Sequence, residues 1–294
     1  MSCELTVATF NLWGLNEPWA YTERRREVRG AAPGSPATTL RVPDGAWTRR
    51  RSLIAQALAG VNPDIVGLQE DRQDLPGDDG RSQSEQLARD LGRSFALLPS
   101  SDDAEDPKGN AVLSRHPVRR LETIPLPPAP GEAARYGPGV RDGLYAAIDT
   151  PCGLIHFFVV HLTTHRGEAQ LAEVERLLNH VSERAADGMA IVAGDFNATP
   201  DTPTIKLMAA HLRDAWAEAN PDDPGHTMLV HTPRQPGDTH MRIDYIFVGP
   251  GPEIVRAVLL GTQPDADGFY ASDHFGVATT LRWPTDSERP SAGS

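Results

Sequence analysis

No stretch of the sequence approaches the run of about 18 apolar residues that a membrane-spanning helix requires, so a soluble chain is expected. The CxxC and HExxH spacings that hold zinc are missing, and so is a P-loop, which removes zinc hydrolases and P-loop nucleotide enzymes from consideration. Cysteine is scarce: Cys3 and Cys152 could form one bridge at most. The apolar stretch from Leu5 to Phe10 has no basic segment or small-residue cleavage site ahead of it. The default expectation is therefore a reducing cytoplasm, with both cysteines as small packed residues. Positive charge is also in deficit. Lys and Arg number 28 against 40 Asp and Glu, a net charge of −12, which repels polyanions over the surface as a whole and disfavours a nucleic-acid substrate.

What is present is enough for a full core, with 39% hydrophobic residues in 294. This length fits one multilayered α/β domain over residues 1–283, followed by a polar tail, 284–294, that is expected to be disordered. Buried strands are predicted at Leu5–Asn11, Ile65–Gln69, Ala111–Leu113, Leu144–Ile148, Ile155–His161, Met189–Gly194, Arg242–Val248 and His274–Leu281. Helical spacing appears at Trp47–Leu58, with Arg49 to Arg51 read as an exposed first turn, at Glu168–Val181 and at Thr202–Ala210. The Gly/Pro/Ser/Thr-rich stretch within residues 20–46 reads as an inserted loop close after Asn11, and is expected to select substrate at the rim of a cleft.

The informative pattern lies at strand ends. Asn11, Glu70, His161, Asp195 with Asn197, Asp244, and Asp273 with His274 terminate or flank six apolar segments. A buried strand gains nothing from ending on a carboxylate, because an unpaired buried charge costs several kcal/mol. One such ending is an ordinary turn initiator, but six require a common cause. Phosphoester cleavage supplies one: the reaction builds negative charge on oxygen, and a hard cation held by carboxylates neutralises it.

The segments FNLW (10–13), VGLQE (66–70), GNAVLSR (109–115), VHL (160–162), GDFN (194–197), RIDY (242–245) and SDH (272–274) occur in the order of the endonuclease/exonuclease/phosphatase superfamily, which the chain resembles from residue 5 to 282. The resemblance implies a deoxyribonuclease-I-like α/β fold, a four-layered α/β/β/α sandwich of two mixed sheets flanked by helices. It implies a Mg2+ site, with Mn2+ as a possible substitute, built on Glu70 with Asn11 and Asp273. Asp195 would activate the attacking water. Asn197, His161 and His274 would contact the phosphoryl oxygens, and Asp244 would hold His274 cationic. Asn11 would also lie near the phosphate, and Arg72 and Arg141 are further candidate phosphate ligands. Attack would be in line, without a covalent intermediate.

Each residue has a plainer alternative. Asn11 or the Asp195–Asn197 pair could cap a turn, Asp244 could be an ion-pair partner of Arg242, and the loop arginines could be solvated. The remaining histidines, among them His156, His211 and His226, match no motif and are read as surface or packed residues. The expected activity is hydrolysis of a small or lipid-like phosphate mono- or diester without stable membrane association. A nuclease on the same machinery is the alternative, and a non-catalytic binding protein is less favoured because every acidic position is filled.

Overall fold

The alternating segments form two six-stranded mixed sheets in the computed structural model of the chain, which describes residues 3–14, 44–72, 80–97, 108–128, 131, 142–164, 167–228, 241–266 and 270–283. In chain order the strands are β1 (Cys3–Asn11), β2 (Ile65–Arg72), β3 (Ser94–Leu97), β4 (Lys108–Ser114), β5 (Val118–Ile124), β6 (Gly143–Thr150), β7 (Gly153–His161), β8 (Met189–Asp195), β9 (Arg213–Asp214), β10 (Asp244–Val248), β11 (Glu253–Leu260) and β12 (Gly276–Trp283). The helices are α1 (Asp44–Val61), α2 (Gln83–Asp90), α3 (Glu168–Arg184), α4 (Pro203–His211) and α5 (Ala215–Ala219). One sheet runs β11-β12-β1-β2-β4-β3 and the other β5-β6-β7-β8-β10-β9. Residues 284–294, and the proposed insert up to residue 43, lie outside the described residues.

Alternation along each strand decides the layering. Leu5 and Val7 of β1, Phe157 and Val159 of β7, and Ile191 and Ala193 of β8 share one core between the sheets. The opposite parity, Ala8 and Phe10 or Phe158 and Val160, packs under helices on the outer faces: α1 and α2 on the first sheet, α3 and α4 on the second. The result is an α/β/β/α sandwich. Each sheet has a parallel central pair, β1–β2 and β7–β8, connected through α1 and α3 respectively, so the C-terminal ends of all four strands face one edge of the molecule. Among the described residues no helix is long and apolar enough to cross a membrane.

Three expectations are corrected. Cys3 and Cys152 are not free packed thiols: they form a disulfide, with 5.5 Å between their Cα atoms, joining the start of β1 to the β6–β7 turn and so one sheet to the other. The reading as free thiols rested on an assumed reducing compartment, not on anything the fold forbids. Arg49 to Arg51 are not uniformly exposed, since Arg50 is completely buried. Strand β2 runs past Gln69 to Arg72, so Asp71 is a fully buried strand residue.

Candidate active site

The same alternation that builds the core aims the polar strand ends. Asn11 shares the parity of Leu5 and Val7, His161 that of Phe157 and Val159, Asp195 that of Ile191 and Ala193, and Asp244 that of Ile246 and Val248. All four therefore point between the sheets at the common edge. Register completes the convergence, because His161 and Asp244 both pair directly with Asp195.

Glu70 arrives by a different route. Strict alternation would put it on the helix side with Val66 and Leu68. The pairing of β2 with β4 instead shifts between Leu68 and Asp71, and Glu70 takes φ 56°, a left-handed conformation that costs a non-glycine residue roughly 1 kcal/mol or more. The break turns Asp71 to the helix side, where its carboxylate accepts from Ser84 N (2.7 Å) and Ser84 Oγ (2.8 Å). Glu70 is left in electrostatic reach of Asp273 and Arg50. Asn197 is also left-handed, at φ 50°.

Asp195 is the hub. Its Oδ2 accepts from Asn11 Nδ2 at 3.0 Å and lies 3.5 Å from His161 Nε2 and 3.9 Å from His274 Nε2. Its Oδ1 accepts from Asn197 N at 2.9 Å. Burial pushes the Asp195 carboxyl above the usual carboxylate range, with His274 and His161 opposing and Asp244 adding to the rise. His274 donates through Nδ1 to Asp244 Oδ2 at 2.8 Å. Burial by itself would lower this imidazole, but Asp244, Asp195 and Asp273 together raise it well above 6.5. Asp244 thus serves His274, while Arg242 pairs with Asp214 at 2.7 Å; the local Arg242–Asp244 pair does not form.

Asp273 lies 3.9 Å from His274 Nε2. Its carboxyl is pushed up to about 7, first by burial and further by the charge of Glu70, against the pull of His274 and Arg50. Glu70 and Asp273, both half-buried, form an oxygen donor set suited to a hard divalent cation. Asn11 turns its Oδ1 to Trp13 N (2.9 Å) and its Nδ2 to Asp195, so its first duty is to orient Asp195. Asp195, Asp244 and His274 also place one ligand atom each within 4.8 Å of one another. The bond from Nδ1 to Asp244 fixes the His274 ring and leaves Nε2 directed toward Asp195 and Asp273.

Asn197 donates through Nδ2 to Leu162 O at 2.9 Å, which fixes its amide at the rim. Arg72 ends β2, half-buried, its main chain held by Gln83 Oε1 at 3.1 Å. Arg141 lies outside the described residues. His156 is packed, bonded to Tyr145 Oη (2.8 Å) and Asp187 (2.9 Å), and takes no part in the cluster; His211 is exposed and His226 half-buried.

Arg50 was missed by the reading of residues alone. Trp47, Arg50, Ile54 and Leu58 are the buried positions of α1, so the arginine occupies the apolar stripe of its helix. The spacing i, i+3, i+7, i+11 was visible in the sequence. Burial lowers its pKa to about 10, with Asp273 and Glu70 drawing it back up.

The model of the Endonuclease/Exonuclease/phosphatase family matches residues 8–274. No curated protein matches the chain. Among solved structures, an endonuclease/exonuclease/phosphatase from Beutenbergia cavernae is similar at 27% identity and TM-score 0.65, covering 95% of this chain and 72% of that one. A humanized D. rerio TDP2 aligns at 18% identity and TM-score 0.67, over 95% and 98% of the two chains. A mannosyl-6-phosphatase from Bacteroides thetaiotaomicron aligns at 21% identity and TM-score 0.65, over 94% and 99%. The last two likenesses are likenesses of fold. With the family model spanning nearly all of the chain and the strand-end residues gathered at one edge, this chain belongs to the Endonuclease/Exonuclease/phosphatase family and is a phosphoester hydrolase.

Proposed function

We propose that the chain hydrolyses a phosphate mono- or diester of small or lipid-like character by in-line attack of a water held and deprotonated by Asp195. One observation carries this reading: Asp195 is buried and ringed by Asn11, His161 and His274, with burial holding its carboxyl above the usual carboxylate range. His274, kept cationic by Asp244, and His161 would hold the phosphoryl oxygens, with the Asn197 amide at the rim and Arg72 and Arg141 as outer contacts. Glu70 and Asp273 would hold a divalent cation, Mg2+ fitting their oxygen donors best and Mn2+ substituting, with Asn11 close by. That cation supplies positive charge against the charge developing on phosphate and leaving oxygen.

A small substrate is favoured over nucleic acid by the net charge of −12. The mannosyl-6-phosphatase among the structural relatives is in keeping with a phosphorylated small molecule. Residues 20–46 are proposed to select among such substrates, and their deletion should change the substrate profile. The compartment we propose is oxidising rather than cytoplasmic, because a bridge such as Cys3–Cys152 is favoured there and is rare in a reducing cytoplasm. The test is a screen of purified protein with Mg2+ or Mn2+ against phosphate monoesters, diesters, plasmid DNA and RNA. Turnover of small esters that E70Q abolishes is expected; cleavage of plasmid or RNA alone would replace this reading with a nuclease.

A further inference from the structure

Among the described side chains, Arg50 is the one charged residue in the buried stripe of α1. A leucine there would satisfy helix packing, and a buried guanidinium costs several kcal/mol unless its hydrogen bonds are made. They are made to main-chain carbonyls of two separate loops. Nε donates to Ala271 O at 2.8 Å, Nη1 to Gly14 O at 3.0 Å, and Nη2 to Leu12 O. The rings of Trp13 and Trp47 lie 5.5 and 5.7 Å from its Cζ, within cation–π range. One loop follows Asn11 and the other leads directly into Asp273. Two further bonds join the same pieces: Ser272 Oγ donates to Asn11 O at 2.8 Å, and Gln83 Nε2 to Gly14 O at 2.7 Å.

From this we infer that Arg50 is a positioning residue for the divalent-cation site: its rigid fork sets the separation of the loop that follows Asn11 and the loop that carries Asp273. The inference rests on the cation reading of Glu70 and Asp273 given above. Only a planar, multi-donor group can reach three carbonyls in two loops at once; a lysine keeps the charge and loses the fork. The same charge, facing Asp273 and Glu70, repels a cation. The two effects of Arg50 therefore oppose each other, and the sign of a substitution separates them. Loss of positioning weakens cation binding, whereas loss of a mere competing charge strengthens it.

The experiment is calorimetric titration of the full chain with MgCl2 alone, alongside the Mg2+ dependence of turnover. R50K is expected to weaken Mg2+ binding by about 10- to 100-fold, the usual effect of disturbing groups that orient metal ligands. It should raise the Mg2+ concentration for half-maximal turnover by a similar factor, with kcat at saturating Mg2+ falling much less. Q83A, which removes the tether from Gly14 and the bond to Arg72 N without touching charge, should move both in the same direction by a smaller factor, and it decides the matter if R50K does not fold. Unchanged or tighter Mg2+ binding in the folded variants would overturn the inference. E70Q is the control for the underlying reading: if wild type binds no Mg2+, or E70Q binds it equally well, the cation site itself is refuted and the positioning role falls with it.

Discussion

At the residue scale the site is a set of carboxylates in different surroundings, and the surroundings assign different work. Asp195 is buried and raised, the condition of a base; removing it should cost about 10²- to 10⁴-fold in kcat. Because burial disfavours its charged form, D195N should keep or gain thermal stability while losing turnover, a combination that a shared melting and activity assay reads directly. Asp244 acts through His274. Its loss in D244N should let the imidazole fall from its raised value toward or below 6.5, where burial now acts with less opposition. In the proposed role of His274 the working form is the charged one, present below the pKa and lost as pH rises through it. Wild type should therefore remain active through neutral pH, while D244N should lose activity as pH rises through roughly 6.5. A pH–rate profile of the two proteins checks this, and coincident alkaline limbs would remove His274 from its proposed role.

At the element scale, the strands that bring these residues together were legible and those that frame them were not. β1, β2, β7, β8 and β10 are central, apolar on both faces, and stood out by composition. The four strands not recognised, β3, β5, β9 and β11, are the four sheet edges. Edges pair on one side only, face solvent and carry charge, as Arg119, Arg120 and Glu122 of β5 do, so their alternation is diluted. Helices α2 and α5 were too short to show a period. One close approach inside the central pair is demanded by the site. Gly194, at φ 147°, sits where an added Cβ would lie 2.0 Å from Val160 O. G194A should therefore displace β8 from β7 exactly beside Asp195 and His161, at a cost of about 3 kcal/mol or more, measurable by urea denaturation.

At the scale of the whole molecule, the two sheets meet through the apolar core and through one covalent bond. The Cys3–Cys152 bridge, spanning 149 residues of sequence, closes a long loop at the end of β1 opposite Asn11. Chain-entropy reasoning gives such a bridge about 2–5 kcal/mol. Protein purified without reductant should show no titratable thiol until reduced, then two, and reduction should lower the free energy of unfolding by that amount. Because the bridge is remote from the site, turnover below the melting transition should change little. Two free thiols in the untreated native protein would restore the reading as packed cysteines and remove the argument for an oxidising compartment.

By itself the sequence determined the layered α/β character of the chain, its family, and the polar residue types at the strand ends, because period-two apolar runs ending on carboxylates are a local property that survives without coordinates. Only the tertiary structure decided how those ends are used. The strand break at Glu70, the division of Arg242 and Asp244 between separate partners, the disulfide and the burial of Arg50 all depend on which segments become neighbours across tens to hundreds of residues. Residue order alone does not carry that information; the packing of two sheets against each other does.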